Sequence, residues 1–97
     1  MIKIFVLEGC DKCKKLKSNL DSLNIKYTCI TCEENPKECD NIEEITEVDM
    51  YPIINSGKDI LYIAEKYKDI GKKKEANGYN TIGFYSIDNI IEFINKD

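Results

Sequence analysis

Ile2-Lys3-Ile4-Phe5-Val6-Leu7-Glu8-Gly9-Cys10-Asp11-Lys12-Cys13 holds a strand, a turn and the start of a helix within twelve residues. Ile2, Ile4, Phe5, Val6 and Leu7 form a nearly continuous apolar run. Such a run suits a short strand buried on both faces, as in a parallel sheet. After Gly9 the spacing changes. Cys13, Leu16, Leu20 and Leu23 recur at helical intervals, with Lys14, Lys15, Lys17 and Asp21 on other faces. Asn24 is the expected C-terminal stop of that helix.

Outward from this unit, the order strand, helix, strand, helix continues. Ile25 to Thr31 reads as a second strand. Asn35-Pro36-Lys37-Glu38 reads as a helix start, with Asn35 as cap, Pro36 at the first helical position and Glu38 completing a capping box. Cys39, Ile42 and Ile45 share one face of that helix. A right-handed crossover makes the first two strands parallel neighbours. Tyr51 to Asn55 reads as a third strand with Pro52 at its start, where a missing N–H does least harm. Thr81 to Phe84 is the expected fourth strand, and Ser86 caps a last helix carrying Ile87, Ile90, Ile91 and Ile94. Ile60, Ile63, Tyr67 and Ile70 favour a helix or helical turn in the segment 59–79, with a hairpin continuing through Ile60 to Ile63 as the alternative. Lys72-Lys73-Lys74 and Asn77-Gly78 read as exposed loop. The expectation is one α/β domain over residues 1–97 with a four-stranded mixed sheet, helices on its faces and an extended segment between strands 3 and 4.

Composition narrows the chemistry. In 97 residues there are 14 Lys and 18 acidic residues, a net charge of −4, which makes nucleic acid or an anionic membrane surface a poor partner. The chain has no His, no Trp and no Arg. Without His, the Ser–His–Asp and Cys–His nucleophile schemes and all His zinc ligands are excluded. Without Arg, no bidentate fork serves carboxylates or phosphates. No stretch approaches the roughly 18 apolar residues of a membrane span, and the apolar run ended by Glu8 is too short for a signal-peptide core. The expected compartment is the cytosol, where closely spaced cysteines are more often catalytic or metal-binding than structural.

Five cysteines remain: Cys10, Cys13, Cys29, Cys32 and Cys39. Cys10-Asp11-Lys12-Cys13 follows a buried strand and opens a helix. There, unpaired N–H groups and the macrodipole favour an anion. A Cys10 thiolate is that anion, so its pKa is expected below the free value of about 8.5, with Lys12 helping and Glu8 and Asp11 opposing. Cys13, one turn away on the core side, can attack a mixed disulfide formed at Cys10. Cys10 is therefore the expected nucleophile and Cys13 the resolving thiol.

The strand–CxxC–helix unit, Tyr51-Pro52 before the third strand and Ile82-Gly83 before the last helix resemble the thioredoxin fold and, within it, the glutaredoxin family. The resemblance runs over most of the chain. It implies that Pro52 is a cis-proline facing the CxxC pair, that the backbone of Tyr51 pairs with substrate, and that Gly83 and the last helix lie where the family holds the glutathione γ-glutamyl end. It implies a thiol–disulfide oxidoreductase with no bound cofactor and glutathione as co-substrate. The electron source is glutathione or a thioredoxin-reductase-type flavoprotein. The substrates are disulfide-containing proteins or glutathione-mixed disulfides, and Lys12, Tyr51, Pro52 and Gly83 are the substrate-binding residues. A monomer is expected. The departures are Asp11-Lys12 where the family usually has Pro-Tyr, Glu8 in the region of a usual basic residue, Phe84 where a second glycine is usual, and an atypical insertion at 59–79.

Two other readings use the same residues. Cys10-x2-Cys13 and Cys29-x2-Cys32, fifteen residues apart, match the spacing of a four-thiolate structural zinc site. Alternatively, the fold serves as a binding or iron–sulfur-carrying domain without turnover. In the redox reading Cys29 lies on one strand face, and Cys32 and Cys39 are buried, inert thiols that oxidation can link. Glu43, Glu44 and Glu47 read as an exposed helix face.

Overall fold

The computed structural model describes residues 2–64, 66–71 and 73–96. These form a mixed α/β structure of six strands and three α-helices: β1 (Ile2–Val6), α1 (Asp11–Ser22), β2 (Tyr27–Thr31), α2 (Pro36–Thr46), β3 (Ile53–Ser56), β4 (Asp59–Ile63), β5 (Lys73–Ala76), β6 (Tyr79–Phe84) and α3 (Ile87–Asn95). The strand order is β2-β1-β3-β4-β6-β5. β1 runs parallel to β2 and antiparallel to β3, and β4 is antiparallel to β3 but parallel to β6. The arrangement is consistent with a thioredoxin-like fold, but its sheet has six strands where four were expected.

The two added strands, β4 and β5, fall in the segment 59–79. Ile60, Leu61, Tyr62 and Ile63 are all buried. A helix would turn part of that run to solvent, whereas a strand between β3 and β6 buries both its faces. A 3-10 turn at Tyr67–Asp69 is the only helical piece among the described residues of the segment. Lys73 and Lys74 belong to the edge strand β5, and Lys72 lies outside the described residues. Asn77 (φ 51°) and Gly78 (φ 85°) supply the two left-handed positions of the tight turn into β6.

Alternation along the strands divides the helices between the two faces. Ile42 and Ile45 of α2 lie over Lys3, Phe5, Asn55 and Ile60. Ile63 and its β6 partner Phe84 face the opposite way, and Phe84 meets Phe93 of α3 edge-on at 5.4 Å. α1 and α3 pack together on that side, joined at the surface by Lys15 and Asp88. In α1, Cys13, Leu16 and Leu20 are buried as the spacing predicts. Leu23 is the C-cap and 42% exposed, because the helix has ended before its face returns to the core. Asn24 takes the left-handed conformation after that cap. Pro36 opens α2, but the Asn35 side chain makes no capping bond; its amide donates instead to the Thr31 carbonyl. Ser86 caps α3 as expected, accepting from the Asn89 N–H. No helix among the described residues is long and apolar enough to cross a membrane.

Candidate active site

The β1 strand delivers the chain to Gly9, whose φ of +72° turns it into α1. Cys10 is the N-cap residue. Its sulfur accepts the Cys13 N–H at 3.2 Å, taking the role a Ser or Asp oxygen plays at ordinary caps. Cys10 and Cys13 form a disulfide with Cα atoms 5.2 Å apart. Their environments differ: Cys10 is half-buried, while Cys13 is 1% exposed beneath it. A first-turn N–H therefore points at the more accessible sulfur, the arrangement that favours a thiolate there.

From the other side comes the segment between α2 and β3. The Tyr51–Pro52 peptide is cis, and the Tyr51 carbonyl oxygen lies 3.8 Å from Cys10 Sγ. Tyr51 and Pro52 are both buried. The Tyr51 hydroxyl donates to the Glu43 carboxylate of α2. Burial, that hydrogen bond, and the charges of Glu43, Asp40 and Asp49 raise the Tyr51 pKa well above its ordinary value, so the phenol stays a donor at neutral pH. The turn before Cys10 is held as well: the Glu8 N–H donates to the Glu33 carboxylate at 3.2–3.3 Å.

The structure thus gathers Cys10, Cys13, Tyr51 and Pro52. Lys12 stands exposed on the first turn of α1. Gly83 is placed in β6, two strands from β3, and is closely covered. A β-carbon there would lie 2.7 Å from the Asp69 carbonyl oxygen and 3.0 Å from Ala64 Cβ. The Gly71 N–H also donates to the Gly83 carbonyl at 2.8 Å. This glycine permits the 66–71 segment to lie against the sheet.

The remaining cysteines do not join the first pair. Cys32 and Cys39, 8% and 3% exposed, are bonded to each other, with Cα atoms 5.6 Å apart, so they are not inert thiols. Cys29 is free and exposed on β2. Among the described residues no three His, Cys, Asp or Glu side chains converge as metal ligands, so the four zinc-spaced cysteines are not brought together. Sequence reasoning missed Glu43, which is half-buried rather than part of an exposed face. The available signal was its place four residues after Cys39 and next to Ile42, at the margin of the buried stripe.

A cysteine pair at a helix N-terminus, faced by a cis X-Pro segment, is a thiol–disulfide arrangement. Residues 2–60, more than half of the chain, match the family model described as Glutaredoxin, and the chain belongs to the glutaredoxin family. That membership points to thiol–disulfide redox chemistry with disulfide substrates. No curated protein matches the chain.

Proposed function

We propose that this protein is a dithiol oxidoreductase that reduces protein disulfides or glutathione-mixed disulfides through Cys10 and Cys13. The observation that carries the reading is the asymmetry of the pair: an accessible sulfur receiving a helix N–H, above a buried partner. The Cys10 thiolate attacks one sulfur of the substrate disulfide, releasing the other half as a thiolate that takes up a proton. The Cys13 thiolate then attacks Cys10 Sγ and releases the second half. The substrate gains two electrons and two protons, and the protein is left with the Cys10–Cys13 disulfide. Two glutathione thiols, becoming glutathione disulfide, return the pair to the dithiol; a flavoprotein reductase is the alternative electron source.

In this reading Tyr51 and Pro52 present backbone beside the attacked sulfur, and Lys12 is the nearby cation for an anionic substrate. Gly83 is kept in this reading as the family resemblance places it, beside the start of α3, although its carbonyl accepts the Gly71 N–H and its α-carbon is covered by Asp69 and Ala64. Residues 1–97 act as one domain, working as a monomer in the cytosol without a bound cofactor. The segment 59–79 is the addition to the family pattern, and it carries β4 and β5.

The test is a pair of variants. Cys10→Ser is expected to abolish dithiol exchange, and Cys13→Ser to retain one-thiol exchange with glutathione-mixed disulfides. Loss of that exchange in Cys13→Ser would overturn the assigned roles. Full turnover in Cys10→Ser would overturn the function.

A further inference from the structure

Tyr51 is held at two ends. Its backbone carbonyl meets Cys10 Sγ at 3.8 Å, and its side chain runs the opposite way to bond Glu43. The residues that lead to it, 47–50, are half-buried or exposed and form no helix or strand. Glu47 leaves α2 in the left-handed conformation (φ 59°), and Thr46 Oγ1 ties only to Ile42 and Val48. Val48 packs half-buried against the core, but among the described residues no hydrogen bond ties 47–50 to a strand before Tyr51. Glu43, by contrast, stands on a fixed support. α2 is pinned at Cys39 by the bond to Cys32 and by buried Ile42, and Glu43 lies one turn beyond Cys39.

We propose that Glu43 is a positioning residue for substrate: by accepting the Tyr51 hydroxyl it holds the Tyr51 backbone where a polypeptide disulfide docks beside Cys10. The inference rests on the proposed dithiol function and adds a residue outside the CxxC and Tyr-Pro motifs. Glu43 touches neither the reacting sulfurs nor the substrate. Its effect is therefore expected in the KM for a peptide disulfide, and not in the intrinsic reactivity of Cys10 toward a small alkylating agent that needs no docking.

The experiment compares wild type, Glu43→Ala, Glu43→Gln, Tyr51→Phe and the Glu43→Ala/Tyr51→Phe double variant. The substrate is a peptide joined to glutathione by a disulfide, and Cys10 alkylation by iodoacetamide is measured in parallel after reduction. Loss of one partly buried hydrogen bond corresponds to roughly fivefold in affinity. Glu43→Ala and Tyr51→Phe are each expected to raise KM by about that factor, with kcat and the alkylation rate within twofold of wild type. Glu43→Gln is expected to stay near wild type, because its amide oxygen still accepts the phenol. The double variant is expected to match either single one, as for two halves of one interaction. An unchanged KM in Glu43→Ala, or single effects that multiply in the double variant, would overturn the proposal. If Glu43→Ala does not fold, Tyr51→Phe decides alone, by a raised or unchanged KM. Absence of turnover in wild type would overturn the function itself, so the two failures are distinct.

Discussion

The two disulfides of this protein are the same bond in opposite settings. Cys10–Cys13 lies at the mouth of a helix, with one half-buried sulfur, a backbone N–H aimed at it and a carbonyl oxygen alongside. Cys32–Cys39 joins the loop after β2 to the first turns of α2, with both residues less than a tenth exposed. Opening the first creates a thiolate that an N–H meets at once. Opening the second creates a thiolate in the core, where burial favours the neutral form. Chain position alone does not separate an exchanging pair from a tying pair; access and the partners of the leaving sulfur do.

Reduction under native conditions is expected to separate the two pairs by the largest factor. Dithiothreitol in limited amount, followed by alkylation and mass spectrometry, is expected to label Cys10 and Cys13 first. If Cys32–Cys39 opens only through unfolding, a stability of about 5 kcal/mol slows its labelling by a thousandfold or more. Equal labelling of both pairs would dissolve the distinction. Next in size is stability. Removing the Cys32–Cys39 link by a Cys32→Ser/Cys39→Ser double substitution frees the short loop between them and is expected to cost about 2.5 kcal/mol, roughly 10–20 °C in Tm for a domain of this size. Turnover below the melting range is expected to survive.

A smaller effect tests the bridge from α2 to the Cys10 sulfur. The folded pKa of Tyr51 lies above its unfolded value, so the folded chain holds a proton more tightly. Its stabilisation is complete below about pH 10, the unfolded value, and is lost as pH rises through the folded pKa. Urea midpoints between pH 9 and 11 should fall more steeply for wild type than for Tyr51→Phe. The expected difference is on the order of 1 kcal/mol. Parallel slopes would show that the phenol contributes nothing. The smallest effect is the control: Cys29→Ser at an exposed strand position should change stability by less than about 0.5 kcal/mol. In the oxidised wild type, Cys29 should be the thiol alkylated without any reductant.

Much of this was legible because it is local. The apolar run of β1, the helical spacing through Leu20, the CxxC at their junction and the Ser86 cap each depend on neighbours a few residues away. The cis conformation at Pro52 followed from the family resemblance. What escaped depends on long-range partners. Ile60 to Ile63 fits a helix or a strand until β3 and β6 are known to flank it. The Cys32–Cys39 link reads in the sequence only as a possible oxidation product of inert thiols, because it takes the turn at 32–35 to bring residues seven apart into bonding range. Glu43 looks solvated until Tyr51, eight residues on, folds back to it. The close approach of the Asp69 backbone to Gly83 likewise needs a partner fourteen residues away.

The parallel pairing of β4 with β6 has a kinetic consequence. β3 with β4, and β5 with β6, are hairpins joined by tight turns at Gly57 and Asn77-Gly78, and hairpins of this kind close in about 1–10 μs. Parallel β4 and β6 cannot meet that way: 15 residues separate Ile63 from Tyr79, and their loop must close before the pairing is rewarded. Two hairpins that form early and join late are the expected route. Gly83 sits at that junction, against both the 3-10 turn and Ala64. Gly83→Ala is then expected to steepen the loss of the native state, raising the unfolding rate while leaving the refolding arm of the chevron nearly in place. A slowed refolding arm would instead put the joining of the hairpins at the start of folding.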